Sequence, residues 1–226
     1  MKRWYLYPFS LVYHFVTAMR NRMYDWGIFS STKFKTPIIG VGNLSVGGSG
    51  KSPMVMYMAD LLSKNFRTGV LSRGYGRKTK GYGIVNYEST YKMVGDEAMQ
   101  LFERFRNRFV IGVCEDRVFG ARKIIDDMDL DVLLLDDSYQ HRRIKPGFNI
   151  LLTDYNDPYF KDFLLPAGNL RESRRGAKRA DLIVVTKCPE ILTEEKKQFY
   201  INKIKPRHYQ KVFFSSINYD ENVVNK

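Results

Sequence analysis

The sequence predicts an α/β protein of the phosphate-loop NTPase type, with a mostly parallel sheet flanked by helices behind an apolar N-terminal segment. Three observations carry this expectation. Short hydrophobic runs alternate with helix-patterned stretches, as parallel strands covered on both faces do. The stretch "GVGNLSVGGSGKSP", residues 40–53, joins the first such run to a helix pattern. The stretch "DVLLLDDSYQH", residues 131–141, is a strand pattern ending in two aspartates.

Residues 1–36 come first. Residues 4–19 hold no Lys, Arg, Asp or Glu and are rich in Trp, Tyr, Phe, Leu and Val. A spanning helix needs roughly 20 predominantly apolar residues. This run is shorter and is interrupted by Pro8, Ser10, His14 and Thr17. Lys2 and Arg3 ahead of an apolar run suit a secretory signal, but no small-x-small cleavage site follows. Cations at both ends, Lys2, Arg3, Arg20 and Arg22, fit a helix lying in a membrane interface. The alternative is a helix packed on its own domain's core.

In the body, strands are expected at 37–41, 68–71, 109–113, 132–135, 148–152, 182–185 and 212–214. Helices are expected at 53–63, 96–105, 116–128 and 193–204, the last opened by Thr193 with Glu194 and Glu195 in its first turn. Residues 165–180 carry no apolar periodicity and read as a long loop. Two cysteines give no disulfide framework and suit a reducing compartment, and three scattered histidines propose no zinc site. The net charge of +13 favours polyanionic partners, whether nucleic acid, anionic lipid or phosphorylated substrates.

The chemistry concentrates at residues 47–52. Gly47, Gly48, Ser49 and Gly50 let backbone N–H groups turn inward around a phosphate, at the positive end of a helix. Lys51 is expected on the β- and γ-phosphates and the Ser52 hydroxyl on Mg²⁺. Ser45 stands where the general pattern has its first glycine, which leaves the cradle itself intact. Asp136 and Asp137, at a strand's C-terminal end, are the expected metal-side carboxylates, and a cap or turn is their bland reading. Asp96 and Glu97 in "VGDEA" are candidates to take the acceptor's proton, or acids favoured by a helix dipole. His141 is a candidate base or an orienting partner. Arg73, Arg117 and Arg171, with Arg142 and Arg143, could hold anionic substrate or lie solvated on the surface.

Together, "GNLSVGGSGKSP", "LSRGYGRK", "VGDEA", "LLLDDSYQHRR" and "LLPAGNLRES", in that order, resemble the tetraacyldisaccharide 4′-kinase family of lipid A biosynthesis. In that family a small hydroxyl residue occupies the position of Ser45. The resemblance implies ATP- and Mg²⁺-dependent phosphorylation of the 4′-hydroxyl of a tetraacylated glucosamine disaccharide 1-phosphate, at the cytoplasmic face of the bacterial inner membrane. It implies that Lys51 and Ser52 bind ATP and Mg²⁺, with Asp136 and Asp137 beside the metal. Asp96 matches the acid that activates the acceptor, Glu97 is its neighbour, and His141, Arg117, Arg171 and Glu172 line the same cleft. Arg73, in the second motif, is expected on the substrate.

The family has two α/β lobes and an N-terminal helix that docks on the membrane beside the lipid. Its second lobe supplies an Asp-His motif, which nothing after Asp181 contains. The expected division is therefore 1–36 membrane-associating segment, 37–178 phosphate-loop kinase core and 179–226 the start of an incomplete C-terminal lobe. The rival readings are a catalytically impaired nucleotide-binding fragment of this family and a nucleic-acid-dependent phosphate-loop NTPase. No recognised nucleic-acid motif supports the last, and no signal marks an obligate protein partner. "VVTKCP", residues 184–189, is similar to a guanine-reading Thr-Lys-x-Asp, but Pro189 holds the Asp position.

Overall fold

A computed structural model describes residues 3–216. After the helix α1 (Tyr7–Asp25), the chain runs β1 (Ile38–Asn43), α2 (Lys51–Leu62), β2 (Thr68–Ser72), β3 (Gly83–Ile84), α3 (Tyr91–Val94) and α4 (Asp96–Phe105). It continues through β4 (Val110–Val113), α5 (Arg117–Met128), β5 (Val132–Leu135), β6 (Phe148–Asp154), β7 (Leu182–Cys188), α6 (Glu194–Ile204) and β8 (Lys211–Ser216). All seven expected strands and all four expected body helices form. The additions are α3, a single turn just ahead of α4, and β3, two residues paired antiparallel to β4 at the sheet edge, both too short to carry a pattern.

The strands make one sheet in the order β3-β4-β2-β5-β1-β6-β7-β8, and every pair except β3 with β4 is parallel. Alternation along β5 shows why its run is wholly hydrophobic. Leu134 packs with Val55 and Ala59 of α2 and Leu101 of α4. Leu133 and Leu135 point to the other face, beside Ala121 and Ile124 of α5. Both faces are covered, so no position tolerates a polar side chain. Residues 179–216, expected to open a second lobe, are continuous with the first: β7 pairs with β6 and β8 with β7.

The N-terminal helix is mounted in reverse. Ser10, Tyr13, Thr17 and Asn21 share one face by helical spacing, and three of them make polar contacts to the body. Ser10 Oγ donates to the Leu164 carbonyl at 3.0 Å, Tyr13 Oη to the Arg171 carbonyl at 2.8 Å, and Asn21 Nδ2 to Glu172 at 2.9 Å. Asp25 accepts from Arg142 at 2.7 Å. The apolar side faces outward, with Phe9 64%, Val12 65%, Phe15 67% and Val16 59% exposed. Packing on the core is thus excluded for this face. No helix among the described residues is long and apolar enough to cross a membrane.

Candidate active site

The site lies at the C-terminal ends of β1 and β5 and the N-terminal ends of α2 and α4. Gly50 caps α2 with φ of 81°, a left-handed turn suited to glycine, so α2 starts at Lys51, two residues earlier than expected. Lys51 Nζ lies 3.5 Å from Asn43 Oδ1, 3.5 Å from the Gly47 carbonyl and 3.8 Å from Asp137 Oδ1. It folds back over its own loop, within reach of a phosphate between the loop and Asp137.

Ser52 Oγ donates to Glu97 Oε1 at 3.3 Å. Glu97 is brought there by Gly95, where any side chain would meet the Tyr75 carbonyl oxygen at 2.7 Å. That close approach seats the start of α4 on the Arg73–Tyr75 turn. Asp96, the first residue of α4, is exposed, with no hydrogen bond or ion pair among the described residues.

Asp136 is buried, and its Oδ1 has no hydrogen-bond partner. Burial, followed by the neighbouring charges of Glu97 and Asp137, pushes its carboxyl up to about 6. An unpaired buried carboxylate oxygen is costly, and here it sits in the same small group as Glu97 and Ser52. Among the described residues, no group of three or more His, Cys, Asp or Glu forms a metal cage. One or two carboxylates completed by a hydroxyl and phosphate oxygens is the Mg²⁺ pattern, so these oxygen donors fit that ion.

Asp137 adopts φ of 45° and accepts from Arg171 through both oxygens at 3.0 and 3.1 Å. Arg171 therefore reaches the phosphate loop through Asp137. His141 is half-buried; desolvation, then the positive charges of Arg117 and Arg73, lower it to about 4. It is neutral at pH 7, and the burial and cations that keep it so also make it a weak base. Arg73 is exposed with no hydrogen bond or ion pair among the described residues, the open cation on this rim.

Two expected substrate contacts have other roles. Arg117 is buried, and donates to the carbonyls of Cys114 at 2.8 Å and Asp136 at 2.9 Å. It fixes the turn after β5 and has no free face for a substrate. Burial lowers it to about 10, so it remains charged at neutral pH. Glu172 is 3% exposed. Its oxygens accept from Arg179 at 2.8 and 2.9 Å, from Asn21 at 2.9 Å and from Gln140 at 3.2 Å. It is an internal anchor, with its lone pairs already used.

Sequence reasoning did not single out Asn43, Gln140 or Arg179. Asn43 supports Lys51, and Gln140 Nε2 donates to the Asn43 carbonyl at 2.8 Å. Both lie inside motifs already quoted, which is the one signal that could have found them. Arg179, with its guanidinium 4.6 Å from the Tyr139 ring centroid, lay in a loop pattern with no local sign of a partner.

A parallel sheet with this loop, these strand-end carboxylates and this helix start defines a phosphate-loop nucleotide-binding α/β protein. The family model for tetraacyldisaccharide-1-P 4′-kinase matches residues 2–222, and the chain belongs to that family. It is 46% identical over 222 residues to the tetraacyldisaccharide 4′-kinase of Flavobacterium johnsoniae, covering 98% of this chain and 65% of that protein. It is 42% identical over 217 residues to that of Bacteroides thetaiotaomicron, covering 95% of this chain and 57% of the relative. The chain thus spans less than two thirds of the length of these relatives. The "apo" form of LpxK from Aquifex aeolicus, solved in complex with ATP, superposes with a TM-score of 0.75 at 32% identity. That match covers 98% of this chain and 84% of the other.

Proposed function

We propose that this chain is the catalytic core of an ATP-dependent 4′-kinase. It transfers the γ-phosphate of ATP to the 4′-hydroxyl of tetraacyldisaccharide 1-phosphate, giving lipid IVA, at the cytoplasmic face of the inner membrane. The observation that carries the reading is one cluster in which Lys51 pairs with Asp137, Ser52 donates to Glu97, and the orphaned, buried Asp136 carboxyl feels the charges of Glu97, Asp137 and Lys51, in a chain matched almost throughout by the family.

The phosphate loop, residues 47–52, holds the phosphates through backbone N–H groups, and Lys51 neutralises the transferred group. Ser52 and Asp136 would hold Mg²⁺, with Glu97 orienting the Ser52 hydroxyl; when bound, the ion neutralises charge on the phosphate oxygens. The acceptor oxygen attacks the γ-phosphorus, and the bond to the bridging oxygen of the departing diphosphate breaks. Asp96, open at the start of α4, takes the hydroxyl proton, and neutral His141 orients the polar groups beside it. Arg73 offers a cation to the substrate's 1-phosphate.

The outward apolar face of α1 rests on the membrane surface beside the lipid. Residues 37–178 form the kinase core, and residues 179–216 extend its sheet through β7 and β8.

The test uses the full chain, γ-labelled ATP and the lipid disaccharide in mixed micelles. Transfer that is lost in Lys51→Ala supports the assignment. ATP binding without transfer leaves a silent nucleotide binder, and normal turnover by Lys51→Ala sinks the kinase reading.

A further inference from the structure

The stretch "VVTKCP" has no role in the chemistry above, yet its Thr186 touches the phosphate loop. Its strand, β7, lies two places from β1 in the sheet, beyond β6. Thr186 is 5% exposed, and its Oγ1 donates to the Ser49 carbonyl at 2.9 Å, with the Thr153 carbonyl at 3.2 Å sharing the proton. At Gly50 an added Cβ would stand 3.6 Å from Thr186 Cβ, so Thr186 faces the loop at about one methyl group's distance.

The Ser49 carbonyl has a particular need for this donor. Ser49 precedes the cap of α2, so its oxygen lies outside the helical ladder, whose first bond runs from the Met54 N–H to the Gly50 carbonyl at 3.1 Å. The residue four places on, which could extend that ladder, is Pro53, which has no N–H. No other hydrogen bond to this oxygen occurs among the described residues.

The backbone around Thr186 is held to serve the contact. The next residue, Lys187, has φ of 56° where the β7–β8 register shifts between Val185 and Cys188. A left-handed lysine is unfavourable unless its surroundings fix it. Here Lys187 Nζ is 2.7 Å from Asp154 Oδ2 at the end of β6. Lys187 and Asp154 also line a cavity of about 150 Å³ beside the phosphate loop, with Gly47, Gly48 and Ser49 on its other wall.

We infer that Thr186 is a positioning residue for phosphate binding: its hydroxyl sets the Ser49–Gly50 peptide, and the Lys187–Asp154 pair holds Thr186 in place. The inference rests on the phosphate-loop reading of residues 47–52. The segment that imitates a guanine-reading motif thus braces the loop and acts on phosphates whatever base they carry.

The test compares Thr186→Val and Thr186→Ser in the full chain, titrated with a fluorescent ATP analogue and with inorganic tripolyphosphate. Loss of one buried hydrogen bond predicts about a five- to tenfold weakening in Thr186→Val, equal for both ligands, with Thr186→Ser within about twofold of the parent. Unchanged binding by Thr186→Val overturns the inference. So does a loss confined to the nucleotide, which would make Thr186 a nucleoside contact, or an equal loss in Thr186→Ser. If Thr186→Val does not fold, Asp154→Asn decides: weakened tripolyphosphate binding at an unchanged melting temperature supports the brace, and parental binding overturns it. A Lys51→Ala variant that binds tripolyphosphate as the parent does would instead show that the phosphate site itself is misassigned.

Discussion

Replacing Glu172 by alanine should cost this protein several degrees of thermal stability, because the carboxylate is the only anion paired with Arg179 among the described residues. Without Glu172, the guanidinium keeps the Tyr139 carbonyl at 3.2 Å and the face of the Tyr139 ring. The Asn21 and Gln140 amides lose an acceptor at the same time. Breaking a buried ion pair from one side costs about 3–5 kcal/mol. The Arg179 side chain is 19% exposed, so water offsets part of this and the lower end, about 3 kcal/mol, applies. In a domain of this size each kcal/mol moves Tm by about 2–4 °C, so the expected loss is about 6–12 °C. Far-UV circular dichroism melts in one buffer measure it. Glu172→Met with Arg179→Met removes both charges together and should cost less than the sum of the single changes. A loss below about 2 °C, or strict additivity in the pair, would refute the reasoning.

Two further outcomes follow from the site and the N-terminal helix. Mg²⁺ should raise the melting temperature of the parent in the presence of an ATP analogue, and Asp136→Asn should abolish that metal-dependent increment while still folding; an undiminished increment removes Asp136 from the metal site. Phe15→Glu, which alters a side chain already 67% exposed, should lower partitioning onto anionic vesicles about tenfold or more and leave the melting temperature nearly unchanged. Unaltered vesicle binding would mean that the outward face of α1 is not the contact.

How far the sequence could be read depended on whether the local pattern marks a residue's partner. The run 132–135 is hydrophobic at every position, and that alone implies a strand covered on both faces. The start of α4 at Asp96 was legible because Gly95 and the two acids after it mark a helix N-terminus. The internal bonds of Glu172 and Arg117 are not legible in the sequence, because a carboxylate or guanidinium fits a substrate contact equally well. Each has a near partner that no local pattern marks, Arg179 seven residues from Glu172 and Cys114 three from Arg117, and a distant one, Asn21 151 residues from Glu172 and Asp136 19 from Arg117. The sidedness of α1 was hidden differently. Its aromatics are spread around the helix, and the informative feature is the narrow polar stripe of Ser10, Tyr13, Thr17 and Asn21. Polar periodicity, rather than apolar periodicity, marks the face that meets the protein.

That stripe gives the joint between α1 and the body an unusual temperature and salt response. Separating two ordinary packed helices exposes apolar surface and raises the heat capacity; separating α1 exposes chiefly hydroxyls, amides and ion pairs, whose hydration changes heat capacity in the opposite sense. Cooling, which weakens the sheet's hydrophobic contacts, should leave this joint comparatively untouched. Added salt, to which the buried strands are nearly indifferent, screens the Asp25 pairs with Arg142 and Lys178 at its C-terminal end. The helix and the sheet therefore loosen under different conditions.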